Sequence, residues 1–212
     1  MIYLCSELPQ KLDPALMNLL PEERVVKAMK YYREIDRITS VIAYCLFAYG
    51  ISSEYEINQK ISWSKGKHNK PYAANHPEIN FNISHCRCSA VCALSKNSIG
   101  VDVQDYASVS LDIIHMVCSE REITKINNAA EPVRQMCIFW CLKEAYVKYS
   151  GNGIDDNLKN YDFSDGDFGC FEKYGLRFSV FDYNEFCMAV CAEEFFEEND
   201  VLEISERDLM SF

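Results

Sequence analysis

From Val133 to Ser150 the chain carries neither glycine nor proline, and Gly151 and Gly153 follow directly. So long a run without a breaker, closed by glycines, predicts one long helix. At about 100° per residue, Trp140, Lys143, Glu144, Val147 and Lys148 share one face, and Phe139, Leu142 and Tyr146 share the opposite one. One face reads as core. The other presents a carboxylate between two ammonium groups, with an indole beside them. Alone, Glu144 and Lys148 at i, i+4 make an ordinary solvated pair, contributing about 0.3–0.5 kcal/mol.

The strands give the helix a context. Phe81, Ile83 and His85 alternate with Asn82 and Ser84, residues 89–95 read as the next strand, and residues 99–104 as a third. In that third strand a period of two places Asp102 and Gln104 on one face, and Val101 and Val103 on the other. An aspartate between valines runs against strand propensity, a local conflict of the kind found at functional sites. Residues 176–181 and 186–192 read as a hairpin turning through Asp182-Tyr183-Asn184. Ala90-Val91-Cys92-Ala93 recurs as Ala189-Val190-Cys191-Ala192, each copy in a hairpin after a helical region. This predicts a duplicated α+β unit, with halves 1–104 and 105–212 and the site in the cleft between them. The length of 212 residues, 49% of them hydrophobic, suits one domain or two small joined ones.

Pro21-Glu22-Glu23 opens a helix reaching about Lys30 or Tyr32, and a second helix runs from Glu34 to Tyr49, ended by Gly50. Residues 105–135 read as mostly helical, with Ser119-Glu120-Arg121-Glu122 as a capping box, and the acidic end from Glu193 reads as peripheral. A net charge of -11 disfavours a nucleic-acid binder but leaves room for a local basic pocket. Lys27, Lys30 and Arg33 share one side of a helix, and Lys65, Lys67, His68 and Lys70 crowd one loop. Each set is either a solvated surface or an anion site. Eleven cysteines behind a start with no leader pattern are expected to be reduced thiols of a cytoplasmic protein. Cys86-Arg87-Cys88 lacks the paired spacings of a zinc site. No membrane segment is expected, since the longest apolar stretch, 41–49, is about half of the roughly 20 residues a span needs.

Asp102 on a strand and Glu144 on a helix, with lysines and a histidine nearby, suit Mg²⁺ and a pyrophosphate, because Mg²⁺ takes one or two carboxylates and completes its shell with phosphate and water. Here the residues resemble a known family. Ile99-Gly100-Val101-Asp102, followed by Trp140-Cys141-Leu142-Lys143-Glu144-Ala145-Tyr146-Val147-Lys148, is similar to the paired signature of the 4′-phosphopantetheinyl transferases. Phe81-Asn82-Ile83-Ser84-His85 resembles the family's upstream element and Asn69-Lys70-Pro71-Tyr72 its Gly-(Lys/Arg)-Pro loop. Gly151-Asn152-Gly153-Ile154 and Met188-Ala189-Val190-Cys191 resemble its later elements, so the resemblance runs over about residues 20–195. Length and C-terminal half are similar to the surfactin-synthetase-activating type, a monomer of two α+β halves related by a pseudo-two-fold axis.

The resemblance implies that coenzyme A donates phosphopantetheine to a serine of an apo acyl or peptidyl carrier protein. It implies Mg²⁺ on Asp102 and Glu144, with Glu144 also taking the serine proton, directly or through a metal-bound water. It implies Lys143 and Lys148 contacting phosphates or stabilising developing charge, and Lys70, Ser84 and His85 on coenzyme A, with Arg33 a looser addition. Gln104 stands where many members have a second acid, and offers the metal a neutral oxygen or orients a bound water. Thr39 stands where the family has arginine, after a matching Asp36, and Asn69 replaces a glycine. The alternatives are another Mg²⁺-dependent phosphotransferase or hydrolase, and a non-catalytic homologue that binds coenzyme A or a carrier protein.

Overall fold

The structure, a computed structural model, describes residues 1–212 apart from 67, 69, 152–157 and 167. In chain order the first elements are β1 (Ile2–Cys5), α1 (Pro14–Met17), α2 (Glu22–Met29), α3 (Glu34–Tyr55), β2 (Trp63–Lys65), β3 (Pro71–Ala73), β4 (Asn80–His85), β5 (Ala90–Ser95) and β6 (Ile99–Asp105). Then come α4 (Ile114–Val117), α5 (Glu120–Asn128), α6 (Pro132–Ser150), β7 (Cys170–Lys173), β8 (Leu176–Asp182), β9 (Phe186–Ala192), β10 (Val201–Glu203) and α7 (Glu206–Ser211).

The fold is α+β and duplicated. One sheet has the order β10-β1-β5-β4 and the other β6-β9-β8-β7. Within each, a strand, a long helix and a hairpin succeed one another in sequence, and the first strand pairs antiparallel with the last: β1 with β5, and β6 with β9. The repeated tetrapeptides occupy equivalent places. Ala90 and Cys92 pack toward α3, while Ala189 and Cys191 pack toward α6. Val91, Ala93, Val190 and Ala192 all meet in a third cluster between the sheets. Alternation along a strand thus fills a helix–sheet core on one side and a sheet–sheet core on the other.

The halves do not divide at 104. β6, expected in the first half, pairs with β9 of the second sheet, and β10 returns to pair parallel with β1. The tail expected to be peripheral is therefore structural: Ile204 and Leu209 are buried in the first core. Nor does Gly50 end a helix. The second long helix continues to Tyr55, and Glu56 in the left-handed region closes it. A Cβ at Gly50 would lie 2.7 Å from Tyr3 Cε2 and 2.8 Å from Leu94 Cδ1, so the glycine admits close packing of α3 on the sheet. By length and composition α3 is also long and apolar enough to cross a membrane, which the shorter apolar run did not suggest. In the fold its side chains from Ile38 to Phe47 fill the first core.

β6 is an edge strand, and side chains of the other sheet satisfy two of its free amides. Asn82 Oδ1 accepts from Val101 N at 2.9 Å, and Ser84 Oγ accepts from Val103 N at 3.4 Å. These β4 side chains replace a ladder and join the two sheets. α6 crosses β6 so closely that a Cβ on Gly100 would lie 2.1 Å from Ala145 O and 2.4 Å from Tyr149 N. That contact lays the Glu144–Lys148 turn over Asp102.

Candidate active site

Asp102 is buried on the face of β6 that α6 covers. Its Oδ1 accepts from Lys148 Nζ at 2.5 Å and from Ser84 Oγ at 2.8 Å. Lys148 also donates to Ser84 Oγ at 2.9 Å and to Val101 O at 3.2 Å. Helix α6, strand β6 and strand β4 therefore each place one member of a compact group. Asp102, Glu144, Lys148, Ser84 and His85 line one cavity of about 680 Å³. Five of the expected residues are thereby brought together across the two units.

The remaining four do not line that cavity. Lys143 was expected to contact phosphate, but it is fully buried on the flank of α6 that faces α5. It pairs with Glu122 at 2.7 Å and donates to Leu158 O at 3.0 Å and Tyr161 O at 2.5 Å. Glu122 in turn accepts from Ser119 N and from Phe163 N, both at 2.8 Å. The capping box is present as expected, and its glutamate also serves as the counter-ion of a buried lysine. Neighbouring residues on a helix point about 100° apart, so Glu144 faces the cleft and Lys143 does not.

Gln104 was expected to offer a metal an oxygen. Its Nε2 instead donates to Asp102 Oδ2 at 2.9 Å. Beside a carboxylate on the same strand face, an amide lowers repulsion by presenting its N–H. Lys70 was expected on coenzyme A, yet its ammonium is held by Tyr149 O at 3.1 Å and Ile99 O at 3.3 Å, fastening the loop to α6 and β6. It borders a separate cavity of about 320 Å³ with Gly151, outside the carboxylate cleft. Arg33 is exposed at the start of α3 and does not line the cleft. Asn69 and Asn152-Gly153-Ile154 lie outside the described residues.

Most of the cations that do line the cleft were not among the expected site residues. Lys27 and Lys30 of α2, Lys65 of β2 and the buried Arg24 join Lys148 there. Arg24 stacks on Trp63, its Cζ 4.3 Å from the ring centre. The i, i+3 spacing of Lys27 and Lys30 was the available signal, but only the packing of α2 on α3 shows which way they face. Five cations and three carboxylates (Glu23, Asp102 and Glu144) thus share one cleft in a chain of net charge -11. Among the described residues Lys27, Lys30 and Lys65 take part in no ion pair within 4.0 Å. Burial, then the charges of Arg24 and Lys65, holds Lys27 below the ordinary lysine value. Burial, then Lys148 and Lys27, pushes His85 down to about 4, leaving it neutral at physiological pH. Burial, then the charge of Asp102, raises Glu144. These three lysines lack an anion, and one carboxyl is made more basic.

Fold and site define a two-unit α+β protein whose central cleft is equipped to hold a multiply phosphorylated ligand against two carboxylates. Comparison with known proteins gives the family. The profile of the 4′-phosphopantetheinyl transferase superfamily matches residues 98–191. The chain is 25% identical over 163 residues to 4′-phosphopantetheinyl transferase Sfp of Bacillus subtilis (strain 168), covering 76% of this chain and 73% of that one. It is 26% identical over 208 residues to another Bacillus subtilis 4′-phosphopantetheinyl transferase, covering 90% of both. It is 30% identical over 153 residues to the L-aminoadipate-semialdehyde dehydrogenase-phosphopantetheinyl transferase of Candida glabrata, covering 68% of this chain and 59% of that one. The holo-[acyl-carrier-protein] synthase structure of Thermotoga maritima aligns over 44% of this chain and 61% of that one, at 19% identity and a TM-score of 0.33. The chain belongs to the 4′-phosphopantetheinyl transferase superfamily.

Proposed function

We infer that this protein transfers the 4′-phosphopantetheine of coenzyme A to a serine hydroxyl of an apo acyl or peptidyl carrier protein. The observation that carries the reading is the cleft itself: unpaired cations concentrated beside Asp102 and Glu144 in an acidic chain of this family. Lys27, Lys30 and Lys65 bind phosphates of coenzyme A, and Lys148 holds Asp102 while facing the pyrophosphate. Ser84 fixes Lys148 and Asp102 relative to each other, and neutral His85 lines the wall.

In the transfer the serine oxygen bonds to the phosphorus that carries pantetheine. The bond from that phosphorus to the bridging oxygen breaks, and adenosine 3′,5′-bisphosphate leaves. The serine proton goes to Glu144, whose raised proton affinity makes it a better base than an ordinary carboxylate. Positioning and charge neutralisation carry most of such a reaction.

The donor set fits a divalent metal. Two carboxylates line the same cleft, and the charge of Asp102 raises Glu144, a repulsion that a shared cation relieves. Mg²⁺ takes one or two carboxylates and completes its shell with phosphate and water. Asp102 and Glu144 would hold it, with Gln104 orienting Asp102. When bound, Mg²⁺ neutralises pyrophosphate charge. The same reading takes the protein as a cytoplasmic monomer.

The test is incubation with coenzyme A, Mg²⁺ and an apo carrier protein, read by intact mass. The carrier is expected to gain one phosphopantetheine. Release of adenosine 3′,5′-bisphosphate with no gain in carrier mass would indicate hydrolysis, and coenzyme A binding without turnover a non-catalytic homologue. Either result overturns the reading.

A further inference from the structure

The turn after the cleft strand carries a pair of thiols that the proposed transfer does not use. Cys86 N donates to Ser89 O at 2.9 Å, closing the turn between β4 and β5 and folding Cys88 back over Cys86. The two sulfurs lie 3.6 Å apart, and Cys86 Sγ lies 3.1 Å from Ser89 Oγ. Both residues are half-buried, so a small reagent reaches them. The contrast is Cys137 and Cys187 behind Asp102, whose sulfurs are 3.8 Å apart but fully shielded.

We propose that Cys86 and Cys88 form a redox-responsive dithiol, which small-molecule disulfides close into a disulfide within the turn after His85. The pairing needs the sulfurs to close from 3.6 Å to the roughly 2.05 Å of a disulfide bond. Hydrogen bonds from Cys88, opposed by burial and assisted by Ser89, hold Cys86 below the ordinary thiol value, whereas Cys88 is raised by its bond to Cys86 and by burial. Cys86, whose sulfur lies 3.1 Å from the Ser89 hydroxyl that can stabilise a thiolate, is taken as the attacking sulfur. Its thiolate bonds to one sulfur of the incoming disulfide, and the other sulfur leaves as a thiol. Cys88 then attacks Cys86 in the mixed disulfide and releases the second thiol. The dithiol loses two electrons, the small disulfide gains them, and the two cysteine protons end on the released thiols.

The full-length protein is equilibrated with oxidised and reduced glutathione at graded ratios, quenched by alkylation, and read by peptide mass. The peptide holding both cysteines is expected to lose two hydrogens, to take no alkyl group, and to recover both thiols with dithiothreitol. In Cys88→Ser, Cys86 is expected to retain one glutathione. Cys170 is exposed and serves as the internal comparison. The proposal is overturned if Cys86 and Cys88 stay alkylatable at ratios that modify Cys170. It is also overturned if glutathione is retained by Cys88 in Cys86→Ser but not by Cys86 in Cys88→Ser.

Discussion

Asp102 is a buried carboxylate held by three side chains of different character: a cation, a hydroxyl and an amide. Gln104 touches Asp102 and acts on the cleft only through it. Asp102→Ala is therefore expected to abolish transfer to a carrier protein, while Gln104→Ala weakens it, read as kcat at saturating coenzyme A. Equal, near-total losses would sink that ranking. Glu144 carries the opposite burden. Its proton affinity is raised by burial and by Asp102, so the folded chain binds that proton more tightly than the unfolded chain does. Stability from this group is present below the unfolded carboxylate range and is lost as pH rises through the folded value of Glu144. At neutral pH an ionised Glu144 thus weakens the fold. Glu144→Gln is expected to raise the melting temperature at pH 7, with a gain that shrinks toward pH 4, while transfer is lost; a lower Tm at pH 7 would contradict the assignment.

At the scale of elements, α6 has two jobs set by adjacent residues. Glu144 faces the cleft, and Lys143 anchors the helix to α5 and to residues 158–163. Breaking a buried ion pair strands a charge, at about 3–5 kcal/mol. Lys143→Ala is expected to lower unfolding free energy by that order in urea titration, with KM for coenzyme A in the folded fraction nearly unchanged. A large rise in KM at unchanged stability would return Lys143 to the phosphate site. Gly100 sets how closely α6 lies on β6. With Ala145 O 2.1 Å from the added Cβ, Gly100→Ala must push the helix away from the strand. Both thermal stability and kcat are expected to fall, since Glu144 and Lys148 move with α6 and Asp102 stays with β6. Wild-type values for both would show that the crossing tolerates a methyl group.

At the scale of the molecule, the two units interlock. β6 meets β4 through side chains, and the tail returns to extend the first sheet and close its core with Ile204 and Leu209. Deleting residues 201–212 is expected to uncover that core and yield aggregated or partly unfolded protein, measured by circular dichroism and gel filtration, although the tail contributes nothing to the cleft. A truncated chain melting like the full one would show the tail to be dispensable.

Sequence alone determined what depends on local pattern. Breaker-free runs, glycine stops and period-two alternation identified α6, β4, β5, β6 and the β8–β9 hairpin, because their apolar faces repeat at the period of the element that buries them. A four-residue echo revealed the duplication, because equivalent strands face equivalent helices. The site residues Asp102, Glu144, Lys148, Ser84 and His85 were legible chiefly through their resemblance to a family's motifs; periodicity placed Asp102 on a strand and Glu144 and Lys148 on one helix face, but put Lys143 on that face too. Tertiary structure decided whatever depends on which element lies opposite. It turned Lys143 toward Glu122, Lys70 toward two carbonyls and the Gln104 amide toward Asp102. It brought Lys27, Lys30 and Lys65 to the cleft, and sent the tail home to the first sheet. Periodicity gives the direction of a side chain relative to its own helix or strand. Its partner is fixed only when the elements pack, and a charged group is then settled by the nearest complement that burial leaves it.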